Sequence, residues 1–188
     1  MKLLLYCTKA KPYLYKTPDV MNFVENFFTY SSNKHLEYCT LNGTIPCECD
    51  FEVEEIVCDG YAYLPLNSNP AELETKRCLT EQELENYFTK KYGLVGYAIH
   101  IKNLHIFDEP KELSDYYKFD GIYNDINNWK TIDKAPQNMM SVYDSEKNHY
   151  ILISIQPQWL CKILNGEKTV EVRKKILNCM EEVEEWKD

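Results

Sequence analysis

The sequence predicts an α+β domain: a bent, mostly antiparallel sheet closing as a small β-barrel, with helices on its flanks. Three observations carry that expectation. Short segments with period-2 alternation are interspersed with segments whose apolar residues recur at helical spacing, so strands and helices mix along one chain. The segment Gly96 to Phe107 alternates at Tyr97, Ile99 and Ile101, then slips one residue to Leu104 and Ile106, the mark of a β-bulge or bend in a curved sheet. The length of 188 residues, with 44% hydrophobic and 27% charged, fits a single folded domain over 1–188 rather than several domains or a disordered chain.

In order, Met1 to Cys7 reads as a buried strand and Lys9 to Lys16 as a loop. Thr17-Pro18 is a helix start, a capping residue followed by Pro at the first position. Val20, Phe23, Val24, Phe27 and Phe28 follow as an amphipathic stripe, and Ser31 to Lys34 ends it. Asn42-Gly43 is a turn. Cys47, Cys49, Phe51 and Val53 then alternate with Glu48, Asp50, Glu52 and Glu54, a strand with an acidic, solvated outer face. Residues 59 to 78, with Pro65 and Pro70, read as a long loop. Thr80 and Glu83 form a capping box for a helix carrying Leu84, Tyr87 and Phe88, with Gly93 as its C-terminal cap. After the strand from Gly96, residues 108 to 135 read as loop, with a short helix after Pro110. Met139 to Tyr143 and Tyr150 to Gln156 are strands. Pro157 opens a short helix that Asn165-Gly166 stops, Lys168 to Arg173 is a strand, and a last helix carries Ile176, Met180 and Val183.

Composition narrows the function. A formal net charge of −9 opposes broad, non-specific binding to a phosphate backbone, while leaving room for a local basic pocket that takes one nucleotide. MKLLLYC is too short an apolar run for a secretion signal or a membrane span, so the expected location is cytoplasmic, with no membrane partner. The eight cysteines are then expected as reduced thiols. Strand alternation accounts for Cys47 and Cys49 without a metal, and nothing calls for a cofactor. The 15 tyrosines supply stacking surface or core packing.

The sharpest feature is ISIQPQWLCKILNGEKTVEVRKK, Ile153 to Lys175. A strand ends at Pro157, a short helix follows, and a second strand leaves the Asn165-Gly166 turn. On it Thr169, Glu171 and Arg173 share one face, with Lys168 at the turn. Arg offers a fork of donors and Glu accepts from a base amine, so the four residues suit a polar ligand. A solvated strand face carrying a Glu–Arg pair is the plainer alternative.

This segment resembles the opening signature of ASCH domains, a strand, a short helix and then G-x-K-x-x-E-x-R, matched here by Gly166, Lys168, Glu171 and Arg173. Leu3 to Pro12, Asn42 to Ile56, Gly96 to Leu113 and Ala135 to Tyr143 resemble the later segments of the same family, so the order reads as circularly permuted. Residues 13–41 and 57–79 would be insertions. The resemblance implies a PUA-like barrel with an RNA- or nucleotide-binding cleft lined by Lys168, Thr169, Glu171 and Arg173, joined by Tyr6, Thr8, Lys9 and Gln137, and by Tyr97 where it leaves the core. Some relatives hydrolyse acylated cytidine with a signature Lys and a Thr three residues later; here Glu171 stands at that Thr position. The expectation is a binding module for RNA or a nucleotide. Two alternatives stand beside it: a hydrolase of modified nucleosides or RNA, with Lys168 and Glu171 as its acid–base pair, and an acidic protein that engages a basic protein partner. His100 is a candidate acid or base by its ordinary pKa but reads as a surface residue; His105 and His149 lack ligand-like spacing.

Overall fold

The computed structural model describes residues 1–9, 41, 43–58, 63–65, 69–88, 95–119 and 128–181. These hold nine strands: β1 (Lys2–Cys7), β2 (Ile45–Cys58), β3 (Tyr63–Pro65), β4 (Val95–Lys111), β5 (Tyr117–Phe119), β6 (Trp129–Thr131), β7 (Met139–Tyr143), β8 (His149–Ile155) and β9 (Val170–Arg173). Four α-helices accompany them: α1 (Pro70–Arg77), α2 (Glu81–Tyr87), α3 (Pro157–Leu164) and α4 (Asn178–Glu181). A 3₁₀ turn spans Leu113–Asp115. The fold class is α+β, and the pairing is mostly antiparallel; β1 with β8 is the parallel pair.

The chain divides into two compact units, Met1–Cys49 with Leu104–Asn165, and Asp50–Asn103 with Gly166–Asp188. The first unit pairs β6-β5-β7-β8-β1-β2. Its centre is the parallel pair, in register from Lys2↔Tyr150 to Cys7↔Ile155. Both faces of that centre are covered. On one, Leu4, Tyr6, Ile45, Phe107, Tyr116, Ile132, Val142 and Leu152 form a core. The other carries Leu3, Leu5, Ile151 and Ile153, all buried, and α3 contributes Leu160, Cys161, Ile163 and Leu164 to the buried set. Strands buried on both faces read as continuous apolar runs, as KLLLYC and YILISI do.

The second unit pairs β3-β2-β4-β9. One face is packed by α1 and α2: Ile56, Ala98, Val170 and Val172 of the strands meet Leu73, Leu84 and Phe88. The Thr80–Glu83 capping box is present as expected. Gly96 lies under the Phe88 ring, where a Cβ would come within 2.6 Å of it.

The phase slip in β4 has a physical cause. Asn103 sits at φ +48°, the left-handed region that Asn tolerates better than most residues, and the alternation restarts at Leu104. Three expectations need correction. No pairing among the described residues closes the sheet: the hydrogen-bonded order ends at β6 on one side and at β9 on the other. Closure needs two partners for every strand, and β6 and β9 offer only three and four residues. Residues 59 to 78 contain a helix, α1, whose start is written as Asn69 capping the Ala71 N–H with Pro70 in the first turn. Residues 108 to 135 contain the end of β4 and the short strands β5 and β6. The expected helix after Thr17-Pro18, the Gly93 cap and the end of the last helix beyond Glu181 lie outside the described residues.

Candidate functional site

The signature residues lie in the second unit, where β9 leaves the turn after α3. Asn165 caps α3 and Gly166 turns the chain at φ +76°, a conformation glycine enters freely. The next residues dock on the C-terminal end of α1. The Thr169 N–H donates to the Lys76 carbonyl at 3.0 Å, and Lys168 Nζ donates to the Arg77 carbonyl at 2.6 Å. The last carbonyls of a helix have no partner within it, and its C-terminus carries partial negative charge, so an ammonium there satisfies both needs.

Lys168 is therefore buried, its side chain 1% exposed, and burial lowers its pKa from the ordinary lysine value against the opposing pull of Glu171. Glu171 Oε2 lies 3.4 Å from Lys168 Nζ, and Glu171 Oε1 lies 2.9 Å from Arg173 Nη2. One carboxylate thus bridges two cations in a row along β9. Glu171 and Arg173 are 13% and 12% exposed, so these two, and not Lys168, present atoms to solvent. Register places Tyr97 opposite Arg173 and Ile99 opposite Glu171 on β4, so a half-buried tyrosine shares the face. Thr169 belongs to the same face, and its buried hydroxyl has no hydrogen-bond partner.

The remaining candidates belong to the first unit. Tyr6 packs in its core, and burial raises the pKa of its hydroxyl. The Thr8 N–H donates to the Ile155 carbonyl at the end of the parallel pair. The Lys9 side chain passes over Gly43, and Gln137 is exposed one residue before Asn138, whose carbonyl accepts from Ser154 N–H. Thr8, Lys9 and Gln137 thus gather at one end of β1, β8 and β7.

The acidic face of β2 is not a bare, solvated surface. Glu48 meets His105 at 3.6 Å and Lys2 at 2.6 Å, Asp50 accepts from Asn103 at 2.9 Å, Glu52 meets Lys102 at 2.5 Å, and Glu54 meets His100 at 2.9 Å. Glu54 is 7% exposed, and a carboxylate so buried needs a partner. His100 is accordingly a half-buried partner of Glu54 rather than a surface residue. Among the described residues, Cys7, Cys47, Cys78 and Cys161 are thiols outside any disulfide. Cys47 and Cys49 are buried on the apolar side of β2, as alternation requires. No group of three or more metal-binding side chains comes together among the described residues, and no helix among them is long and apolar enough to cross a membrane.

Sequence reasoning placed Lys168 at the ligand; what it missed was α1, whose carbonyl end takes the ammonium. The Asn69-Pro70 pair was the available clue. No family model matches the chain, and neither does any curated protein or solved structure compared with it.

Proposed function

We propose that the chain is an RNA- or nucleotide-binding module of the ASCH-like kind, working in a reducing, cytoplasmic setting. The observation that carries the reading is the ion-paired row Lys168–Glu171–Arg173. Arg173 supplies the ligand-facing fork and Glu171 holds it in place, while Glu171's carboxylate can accept from a base amine. Lys168 acts from behind: it adds positive potential and anchors the strand to α1. The parallel pairing of β8 with β1 sets the first strand of the signature beside the strand that would follow it in the unpermuted order, which is what a permuted domain requires.

The hydrolase alternative asks Lys168 to exchange protons with a substrate, and an ammonium that is 1% exposed and bonded to Arg77 has poor access to one. The basic-partner or inhibitor alternative draws on the acidic strand from Glu48 to Glu55, where Asp50, Glu52 and Glu54 already have cross-strand partners, and on the acidic terminal helix, which beyond Glu181 lies outside the described residues. The test is a titration with labelled single-stranded RNA and a panel of mononucleotides at low salt, with Arg173→Ala and Glu171→Gln beside the parent. Binding that Arg173→Ala weakens about tenfold, with the variant still folded by circular dichroism, supports the site. An absence of binding by the parent across the panel overturns it.

A further inference from the structure

Strands β7 and β8 bring a hydroxyl and an imidazole together in the first unit. Ser141 pairs with Ile151 and Tyr143 with His149, so Ser141 and His149 are diagonal neighbours on one face of the hairpin. Ser141 Oγ lies 2.6 Å from His149 Nε2. At that separation a base can take a serine proton. With the ring proton on Nδ1, the hydroxyl donates and Nε2 accepts, the direction that general-base catalysis needs. Burial lowers the His149 pKa, which favours the uncharged imidazole near neutrality. Both side chains are half-buried, so neither is sealed from solvent.

The surroundings are aromatic. The imidazole lies against the Tyr143 ring, with centroids 4.8 Å apart and planes 15° apart. Trp129 follows Tyr143 at 5.1 Å, and Tyr117 follows Trp129 at 6.2 Å, both pairs tilted by 49°. Tilted rings make an uneven apolar wall, which suits one apolar or aromatic group set against a ring edge or face. An aryl ester places such a group beside a reactive carbonyl. It also asks least of a serine–histidine pair, because a phenolate leaves with little help from an acid.

We propose that Ser141 is the nucleophile and His149 the general base of an esterase site for small aryl esters, with the aryl ring against Tyr143 and Trp129. Ser141 Oγ attacks the ester carbonyl carbon as its proton passes to His149 Nε2, and a tetrahedral adduct forms. The adduct collapses by breaking the bond to the phenolic oxygen, and a phenol leaves with the proton from Nε2. Water then gives a proton to Nε2 and its oxygen to the acyl carbon. The acyl–serine bond breaks, Oγ recovers the proton, and a carboxylic acid is released. The inference goes beyond the nucleotide-binding reading and uses none of its β9 residues.

The test uses the full chain with para-nitrophenyl acetate, followed by phenolate absorbance, and a fluorophosphonate probe whose site is mapped by peptide mass spectrometry. The variants are Ser141→Ala, His149→Gln and the double variant, each checked for folding by circular dichroism. The proposal expects the probe on Ser141, and kcat/KM at least about tenfold lower in each single variant. It also expects the double variant to be no slower than either single one, because groups that act as a unit do not add, whereas two unrelated structural losses would. Ester cleavage that both single variants retain, as surface lysines and histidines can give, overturns it. So does a parent that releases no phenolate above buffer, or one that takes the probe only elsewhere. Should Ser141→Ala fail to fold, the probe's position on the parent decides the matter by itself.

Discussion

Lys168 buries an ammonium against a helix carbonyl and a carboxylate, and its replacement by Met would leave both acceptors without their cation. The expected cost is about 3 kcal/mol in a denaturant titration, since unmaking one side of a buried pair costs more than the pair contributes. Arg173→Ala removes one of the two cations on Glu171 and leaves Lys168 beside it, so it should cost less, about 1–2 kcal/mol. That contrast separates a structural lysine from a ligand-facing arginine, and equal losses would refute it. Cys7 gives a pH signature. Burial pushes its thiol from 9 up to about 12. An acid whose ionisation is raised on folding leaves stability intact below its unfolded value and removes it as pH climbs toward the folded one. Stability should therefore fall between pH 9 and 12, with Cys7 contributing about 1.4 kcal/mol per pH unit. Cys7→Ala should show a shallower slope in chemical denaturation at pH 9 to 11; an unchanged slope would show that Cys7 contributes nothing to it.

At the level of elements, legibility followed length. β1, β8 and the α2 capping box were readable because each has several residues of clear period or a two-residue cap signature. The strands β5 and β6 have three residues each, too few for alternation to register, and their role shows only in cross-strand neighbours. The helix α1 was masked by its polar composition: among its eight residues only Leu73 and Arg77 are buried, so it lacks an apolar stripe. The candidate site was legible in its residue types and in the shared face of Thr169, Glu171 and Arg173, but the burial of Lys168 depends on α1, and hence was not. Helix–sheet packing in the second unit is tight where Phe88 covers Gly96. Gly96→Ala should cost about 1–3 kcal/mol, because the ring, itself fully buried, has no room to retreat. A Phe88→Leu background should relieve much of that loss, which a double-mutant cycle would measure.

For the molecule as a whole, the alternation slip at Asn103 and the strand–helix–strand order were visible from sequence, but an open sheet was not distinguishable from a closed one. Closure is decided by what meets the last strand, and that is a matter of long-range pairing rather than local pattern. The same long-range pairing has a temporal side. Leu3 finds Cys49 at modest sequence separation, but its parallel neighbour is Ile151, far further along the sequence. During synthesis the apolar strand Lys2–Cys7 emerges well before its parallel partner β8, and its second side stays uncovered until that partner is made. Stopped-flow refolding should accordingly be slow, in milliseconds to seconds, with Leu4→Ala raising the unfolding rate more than it lowers the folding rate. In a cell, an apolar strand left bare on one side until β8 is made offers a chaperone a place to bind.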